Sequence, residues 1–189
     1  MYKNIIFIQC ESLHNAVVNK TYNGEEITPF LNSLIRSKGS IYFDNYFELL
    51  GFGNTSDAEF VSMTSVYPTL DGQAYSVYKN KTTYGLPKIA KKMGYETLAM
   101  HGNTGKFYDR EEIYNDFDFD KIYLGESYDQ TDQVTMGLSD KSFFNQSFEF
   151  LKEANKTGKK FFALMVTLTT HTPTICPKTY VNFQRKKMT

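Results

Sequence analysis

Three short apolar runs constrain this chain more than any other feature: Ile5–Ile8 within NIIFIQC, YETLAM at 95–100, and KFFALMVT at 160–167. They have the length and the β-branched or bulky content of strands, and several read as apolar on both faces. Between them the hydrophobic period becomes helical. Thr28-Pro29 opens one helix, with Phe30, Leu31, Leu34 and Ile35 on helical spacing and Gly39 as its stop. Ser56-Asp57-Ala58-Glu59 has the S-x-x-E form of a capping box and predicts a helix to about Val66. Leu86 to Met93, Arg110 to Phe117 and a long segment from Ser139 to about Asn155 complete the helical set. The long one carries Phe143, Phe144, Ser147, Phe148, Leu151 and Ala154 on one stripe. Residues 40–47 (SIYFDNYF) and Lys121 to Leu124 read as further strands, and the tyrosine-rich stretch 72–84 as loop. Strands alternating with helices predict an α/β fold, a mainly parallel sheet flanked by helices.

Composition narrows the function classes. With 21 basic and 21 acidic residues the formal charge is zero, which gives no field to hold a polyanion, so nucleic acid is not an expected partner. Two cysteines exclude a disulfide scaffold or a cysteine-rich zinc module. No signal segment or membrane span is read in the 189 residues. Cys10, inside an apolar run, is expected to be an inert core thiol.

In parallel sheets ligands bind beyond the carboxyl ends of the strands. Glu11 follows the first run, and a glycine loop ending in Asn54-Thr55-Ser56 follows the strand read at 40–47. His101-Gly102 follows the run at 95–100, and Thr169-Thr170-His171 follows the last. Two of the chain's three histidines therefore share a predicted edge with a carboxylate and a helix entry. Each alone has a plain structural reading: Glu11 as a solvent-facing or capping residue, Thr55 and Ser56 as caps, His101 as a partly buried histidine bonded to backbone. Together they suit a metal or phosphate site, because a helix N-terminus binds anions through its free N–H groups.

These residues resemble a family. Asn4-Ile-Ile-Phe-Ile-Gln-Cys-Glu11-Ser12, Gly24 to Leu34, Phe43-Asp-Asn-Tyr-Phe47, Gly51-Phe-Gly-Asn-Thr-Ser-Asp-Ala-Glu-Phe60, His101-Gly102, Phe107-Tyr-Asp-Arg110, Met136 to Lys141 and Thr167-Leu-Thr-Thr-His-Thr-Pro173 occur in collinear order. This text is similar to the catalytic domain of lipoteichoic acid synthases and related phosphoglycerol transferases, within the sulfatase and alkaline phosphatase superfamily. The resemblance implies an enzyme that moves glycerol phosphate from phosphatidylglycerol to a growing cell-envelope polymer. It implies Thr55 as nucleophile, Glu11 and Thr55 as ligands of a divalent metal (manganese, with magnesium possible), and His101, Arg110 and His171 as holders of the glycerol phosphate group. Asn103 and Tyr108 stand where the family often has an acidic residue and a tryptophan, and are assigned to the same pocket. It also implies the outer face of the bacterial cytoplasmic membrane as the working place of the intact enzyme.

A sulfatase proper is disfavoured, because no C/S-x-P-x-R motif occurs. The family completes its metal shell with an Asp-His pair, and this sequence has no such dipeptide. Residues 1–175 are therefore expected to form a C-terminally truncated sulfatase-like catalytic domain, with 176–189 an irregular tail, and the chain by itself is expected to be inactive. The rival readings are a phosphodiester hydrolase of the same superfamily and an inactive fragment that binds glycerol phosphate. The shared edge predicts the Glu11 carboxylate and the Thr55 hydroxyl within roughly 3–6 Å.

Overall fold

The computed structural model describes residues 3–47, 49, 51–134 and 136–172. The expected tail at 176–189, with Cys176, lies outside them. In chain order the elements are β1 (Ile5–Gln9), β2 (Thr21–Tyr22), β3 (Glu25–Glu26), α1 (Pro29–Ile35), α2 (Thr55–Thr64), α3 (Ala74–Tyr78), α4 (Leu86–Lys92), β4 (Glu96–His101), α5 (Arg110–Asp116), β5 (Lys121–Tyr123), β6 (Gln133–Val134), β7 (Gly137–Leu138), α6 (Asp140–Lys156) and β8 (Phe161–Val166).

Among the described residues, 12–47 form one compact unit and the others a second. The small unit holds the β2–β3 hairpin and α1. Its buried centre is polar: Asn32 accepts the Asn19 N–H at 2.8 Å and the Thr28 hydroxyl at 2.9 Å. The strand expected at 40–47 is absent. A turn at Asp44-Asn45 breaks the run, and Ile41 and Phe43 point to solvent. Aromatic and β-branched content favours a strand only where a neighbouring edge is present to pair with.

The larger unit is built on one parallel sheet of order β1-β8-β4-β5. Side chains alternate across β8, which separates two cores. Phe162, Leu164 and Val166 pack with Phe60 and Met63 of α2, Tyr75 of α3, and Ile113 and Tyr114 of α5. Phe161, Ala163 and Met165 pack on the opposite face with Phe143, Leu151 and Ala154 of α6. β4 and β8 are thus covered on both faces, as their apolar sequences require. β1 corrects the expectation of a buried strand: it pairs only with β8 among the described strands, and Ile5, Ile6 and Ile8 are about half exposed. Cys10 is likewise exposed rather than in the core.

α6 follows its sequence most closely. Ser139 caps it by accepting the Ser142 N–H, although Phe144 and Phe148 of the expected stripe face outward. α3 lies in the stretch read as loop. Its first N–H, from Ala74, is bound by the distant Asp57 carboxylate at 2.8 Å, a tertiary contact that local propensity does not encode.

Candidate active site

All four strands of the main sheet are parallel, so their carboxyl ends share one edge. In register, Gln9 and His101 both pair with Val166, from opposite sides of β8. Glu11 therefore leaves the sheet two residues beyond the level at which His101 stands. Two threonines fix its main chain: the Glu11 N–H donates to Thr167 Oγ1 at 2.9 Å, and the Thr170 hydroxyl donates to the Glu11 carbonyl. His171 follows, its N–H bonded to the Leu168 carbonyl at 2.9 Å. Asp140 holds this turn by accepting the N–H groups of Leu168 and Thr169 at 2.7 and 3.1 Å.

Thr55 reaches the edge differently from what the sequence suggests. It follows an irregular segment, not a strand, and is the first residue of α2. The buried Asp57 organises the approach: Oδ2 accepts the N–H of Gly51 at 2.8 Å and of Gly53 at 2.9 Å, while Oδ1 accepts that of Ala74. A Cβ on Gly53 would lie 2.1 Å from Asp57 Oδ1, so only glycine allows the loop to close on the carboxylate. Asn54 then sits at φ 44° and ψ −107°, a strained conformation directly before Thr55. The result is a hydrogen bond of 3.0 Å from Thr55 Oγ1 to Glu11 Oε2, and a second of 3.2 Å from Gln9 Nε2 to the Thr55 carbonyl.

The capping box does not form. Ser56 lies within the first turn and donates to the Gly53 carbonyl at 2.9 Å. Glu59 points inward instead. Its carboxylate accepts from Arg110 Nη2 at 2.6 Å, Tyr114 Oη at 2.6 Å and Tyr75 Oη at 2.9 Å, with Arg110 Nε at 3.5 Å. Glu59 and Arg110 are essentially inaccessible to solvent. Burial works against the Arg110 charge, but the Glu59 carboxylate outweighs it, so the guanidinium stays protonated. Arg110 Nη1 is buried with no hydrogen-bond partner. Just before it, Tyr108 and Asp109 both adopt left-handed backbone, at φ 61° and 53°. The Tyr108 hydroxyl lies in the electrostatic field of Arg110, Glu11, Asp57 and Glu59, and burial raises its pKa. Asn103 bonds locally, its side-chain oxygen accepting the Thr104 N–H at 2.7 Å.

His101 is buried, with Nδ1 at 3.0 Å from the Val166 carbonyl. A carbonyl only accepts, so Nδ1 carries the proton. Burial, then the Arg110 charge, hold the imidazole pKa well below its usual value, against the Val166 hydrogen bond. The ring is thus neutral, and Nε2 is an acceptor. The native state therefore binds fewer protons than the unfolded chain below the ordinary histidine pKa of about 6.5. Stability contributed by His101 is present above that pH and is lost as pH falls toward the lowered native value, by at most about 1.4 kcal/mol per unit. Urea titrations between pH 7 and 5 should show this slope in the wild type, and a smaller one in His101→Asn. Equal slopes would remove His101 as its source.

Glu11 and Thr55 offer two hard oxygen donors at hydrogen-bond separation, which suits a hard divalent cation. Asp57 cannot join them, because both its oxygens are committed to backbone. Among the described residues no group of three or more His, Cys, Asp or Glu could hold a metal. Sequence reasoning missed Gln9, Asp57, Glu59, Thr167 and Thr170 as supporting residues. The signal for two of them was present in T-S-D-A-E, where both acidic residues turn out to be buried.

The Sulfatase family model matches residues 3–189. This chain belongs to the sulfatase family. It is 40% identical over 175 residues to the lipoteichoic acid synthase of Staphylococcus aureus (strain USA300), covering 90% of this chain and 27% of that protein. The chain thus spans about a quarter of the length of the curated relatives it matches. Among solved structures it is similar to the lipoteichoic acid synthase LtaP from Listeria monocytogenes, with TM-score 0.90, 31% identity, and coverage of 94% of this chain and 43% of that one. An alkaline phosphatase superfamily protein from Vibrio parahaemolyticus shares the fold at TM-score 0.79 and 23% identity, over 93% of this chain and 42% of that one. So does the Streptococcus pyogenes phosphoglycerol transferase GacH, solved with sn-glycerol-1-phosphate, at TM-score 0.66 and 16% identity, over 97% of this chain and 50% of that one. The expected alkaline phosphatase/sulfatase-like α/β fold is the observed one.

Proposed function

We propose that this sequence supplies the nucleophile-bearing part of a metal-dependent phosphoglycerol transferase. The observation that carries the reading is the Thr55 hydroxyl, bonded to the Glu11 carboxylate at the entry of a helix that also secures Arg110. Similarity to lipoteichoic acid synthases supports it. Glu11 and Thr55 would hold a divalent cation, manganese or magnesium, which would supply Lewis-acid polarisation of the Thr55 oxygen. Arg110 binds a non-bridging phosphate oxygen through its unpaired Nη1. His101, neutral with its lone pair on Nε2, takes a hydrogen bond from a glycerol hydroxyl. His171, Asn103 and Tyr108 line the same pocket.

Thr55 Oγ attacks phosphorus of phosphatidylglycerol as its proton passes to water. The bond from phosphorus to the diacylglycerol oxygen breaks, and the departing oxygen takes a proton from water to give diacylglycerol. Glycerophospho-threonine remains. A terminal hydroxyl of the glycerol phosphate polymer then takes the group and frees Thr55, a two-step exchange with ping-pong kinetics. We place this reaction at the outer face of the cytoplasmic membrane, where the lipid and the polymer meet. No helix among the described residues is long and apolar enough to cross a membrane.

Two oxygen donors make a weak cation site. The 189 residues by themselves should bind manganese weakly and release no detectable diacylglycerol from phosphatidylglycerol vesicles. A longer polypeptide that adds the family's Asp-His segment should do both. Robust turnover by the 189-residue chain would show a different ligand set, and inactivity of the longer one would sink the transferase reading.

A further inference from the structure

We propose that Glu59 is the positioning residue that fixes the Arg110 guanidinium relative to the Thr55 nucleophile. This rests on the reading of Arg110 as a phosphate ligand. Thr55 and Glu59 are four residues apart on α2, hence on one helix face and separated by about 6 Å along the axis. The attacking oxygen and the carboxylate that holds the arginine are therefore parts of one rigid turn.

The arrangement at Glu59 is more constrained than an ion pair needs. Two tyrosine hydroxyls converge on Oε2, so the carboxylate cannot rotate without losing them. Burial first, and then the Glu59 charge, push the pKa of Tyr75 and Tyr114 well above the usual phenol value, so both remain donors. The Nε–Nη2 edge of Arg110 is committed to Glu59, and Nη1 is left buried and unpartnered on the opposite side. A purely structural pair would be expected to satisfy all its buried donors, since each unpaired one carries a desolvation penalty. One orphan donor on an immobilised guanidinium is what a phosphate oxygen would complete. The two successive left-handed residues at Tyr108 and Asp109 deliver Arg110 to this position at a cost in backbone strain.

The test is a double-mutant cycle on the 189-residue chain, titrated with sn-glycerol 1-phosphate and followed by NMR, including the Arg110 Nε–H signal. Arg110→Ala should weaken binding more than about tenfold, or ~1.4 kcal/mol. Glu59→Gln should weaken it about tenfold with Arg110 present, and by less than about twofold in the Arg110→Ala background. The Arg110 Nε–H signal should broaden or vanish in Glu59→Gln. Should that variant not fold, Tyr75→Phe with Tyr114→Phe keeps the carboxylate but frees it, and the same cycle should give about threefold. If Arg110→Ala weakens binding while a folded Glu59 or tyrosine variant binds as wild type, Glu59 does not position Arg110. If the Glu59 effect is the same in both backgrounds, its role is structural only. If Arg110→Ala binds normally, the phosphate reading itself is wrong and the positioning role falls with it.

Discussion

Replacing Asp57 by alanine is expected to destabilise the protein by about 4 kcal/mol or more. Its side chain is fully buried and accepts three backbone N–H groups, those of Gly51, Gly53 and Ala74. Each donor left unpaired in the interior costs about 1–3 kcal/mol. Asparagine is no rescue. It offers one acceptor where two are used, and it turns an NH2 group toward a backbone N–H. Asp57→Asn should therefore stay well below wild type, whereas an ordinary surface Asp→Asn change would fall within about 0.5 kcal/mol. Urea or thermal unfolding measures both. At this chain length a loss of 4 kcal/mol lowers Tm by roughly 8–16 °C. A loss under about 1 kcal/mol in Asp57→Ala would mean that the glycine loop holds Thr55 without Asp57, and that Asp57 does not place Thr55.

Asp57 also shows what the sequence could and could not convey. The parallel sheet and its two covered faces were legible because β4, β8 and α6 obey simple periodicities, so Leu164 and Ala163 fall on opposite sides of the same strand. The edge bearing Glu11 and His101 followed from that sheet. What failed were the segments whose conformation is set from a distance. Ser56-Asp57-Ala58-Glu59 matches a capping box by spacing, yet both carboxylates turn into the core because Gly51, Gly53, Ala74, Arg110 and two tyrosines offer stronger donors there. α3 was missed for the same reason. The run at 40–47 failed in the opposite sense, since its aromatic side chains meet no sheet to join. Local pattern identifies an element; partners far along the chain decide whether a polar residue caps it or clamps something else.

Thr55→Ala is expected to abolish transfer while leaving the fold almost unchanged. The Thr55 side chain is only partly buried, and its hydroxyl donates to Glu11 at 3.0 Å across the mouth of the site. Removing one such partly solvated hydrogen bond should cost at most about 1 kcal/mol, far less than Asp57→Ala. The chemical cost is different in kind. Without the hydroxyl no covalent glycerophosphoryl intermediate can form, and loss of a nucleophile typically lowers turnover by about 1000-fold or more. Thr55→Ser keeps the oxygen and should retain measurable activity. The assay is diacylglycerol release from phosphatidylglycerol with manganese added, in the longer polypeptide that includes the Asp-His segment. Mass spectrometry of the quenched protein should find one glycerophosphoryl group on the peptide containing Thr55 in the wild type, and none in Thr55→Ala. Two outcomes would overturn the assignment. If Thr55→Ala turned over lipid at a wild-type rate, the nucleophile would be another group or water. If it unfolded as readily as Asp57→Ala, the hydroxyl would be holding the helix entry in place, and the strained Asn54 before it would owe nothing to catalysis.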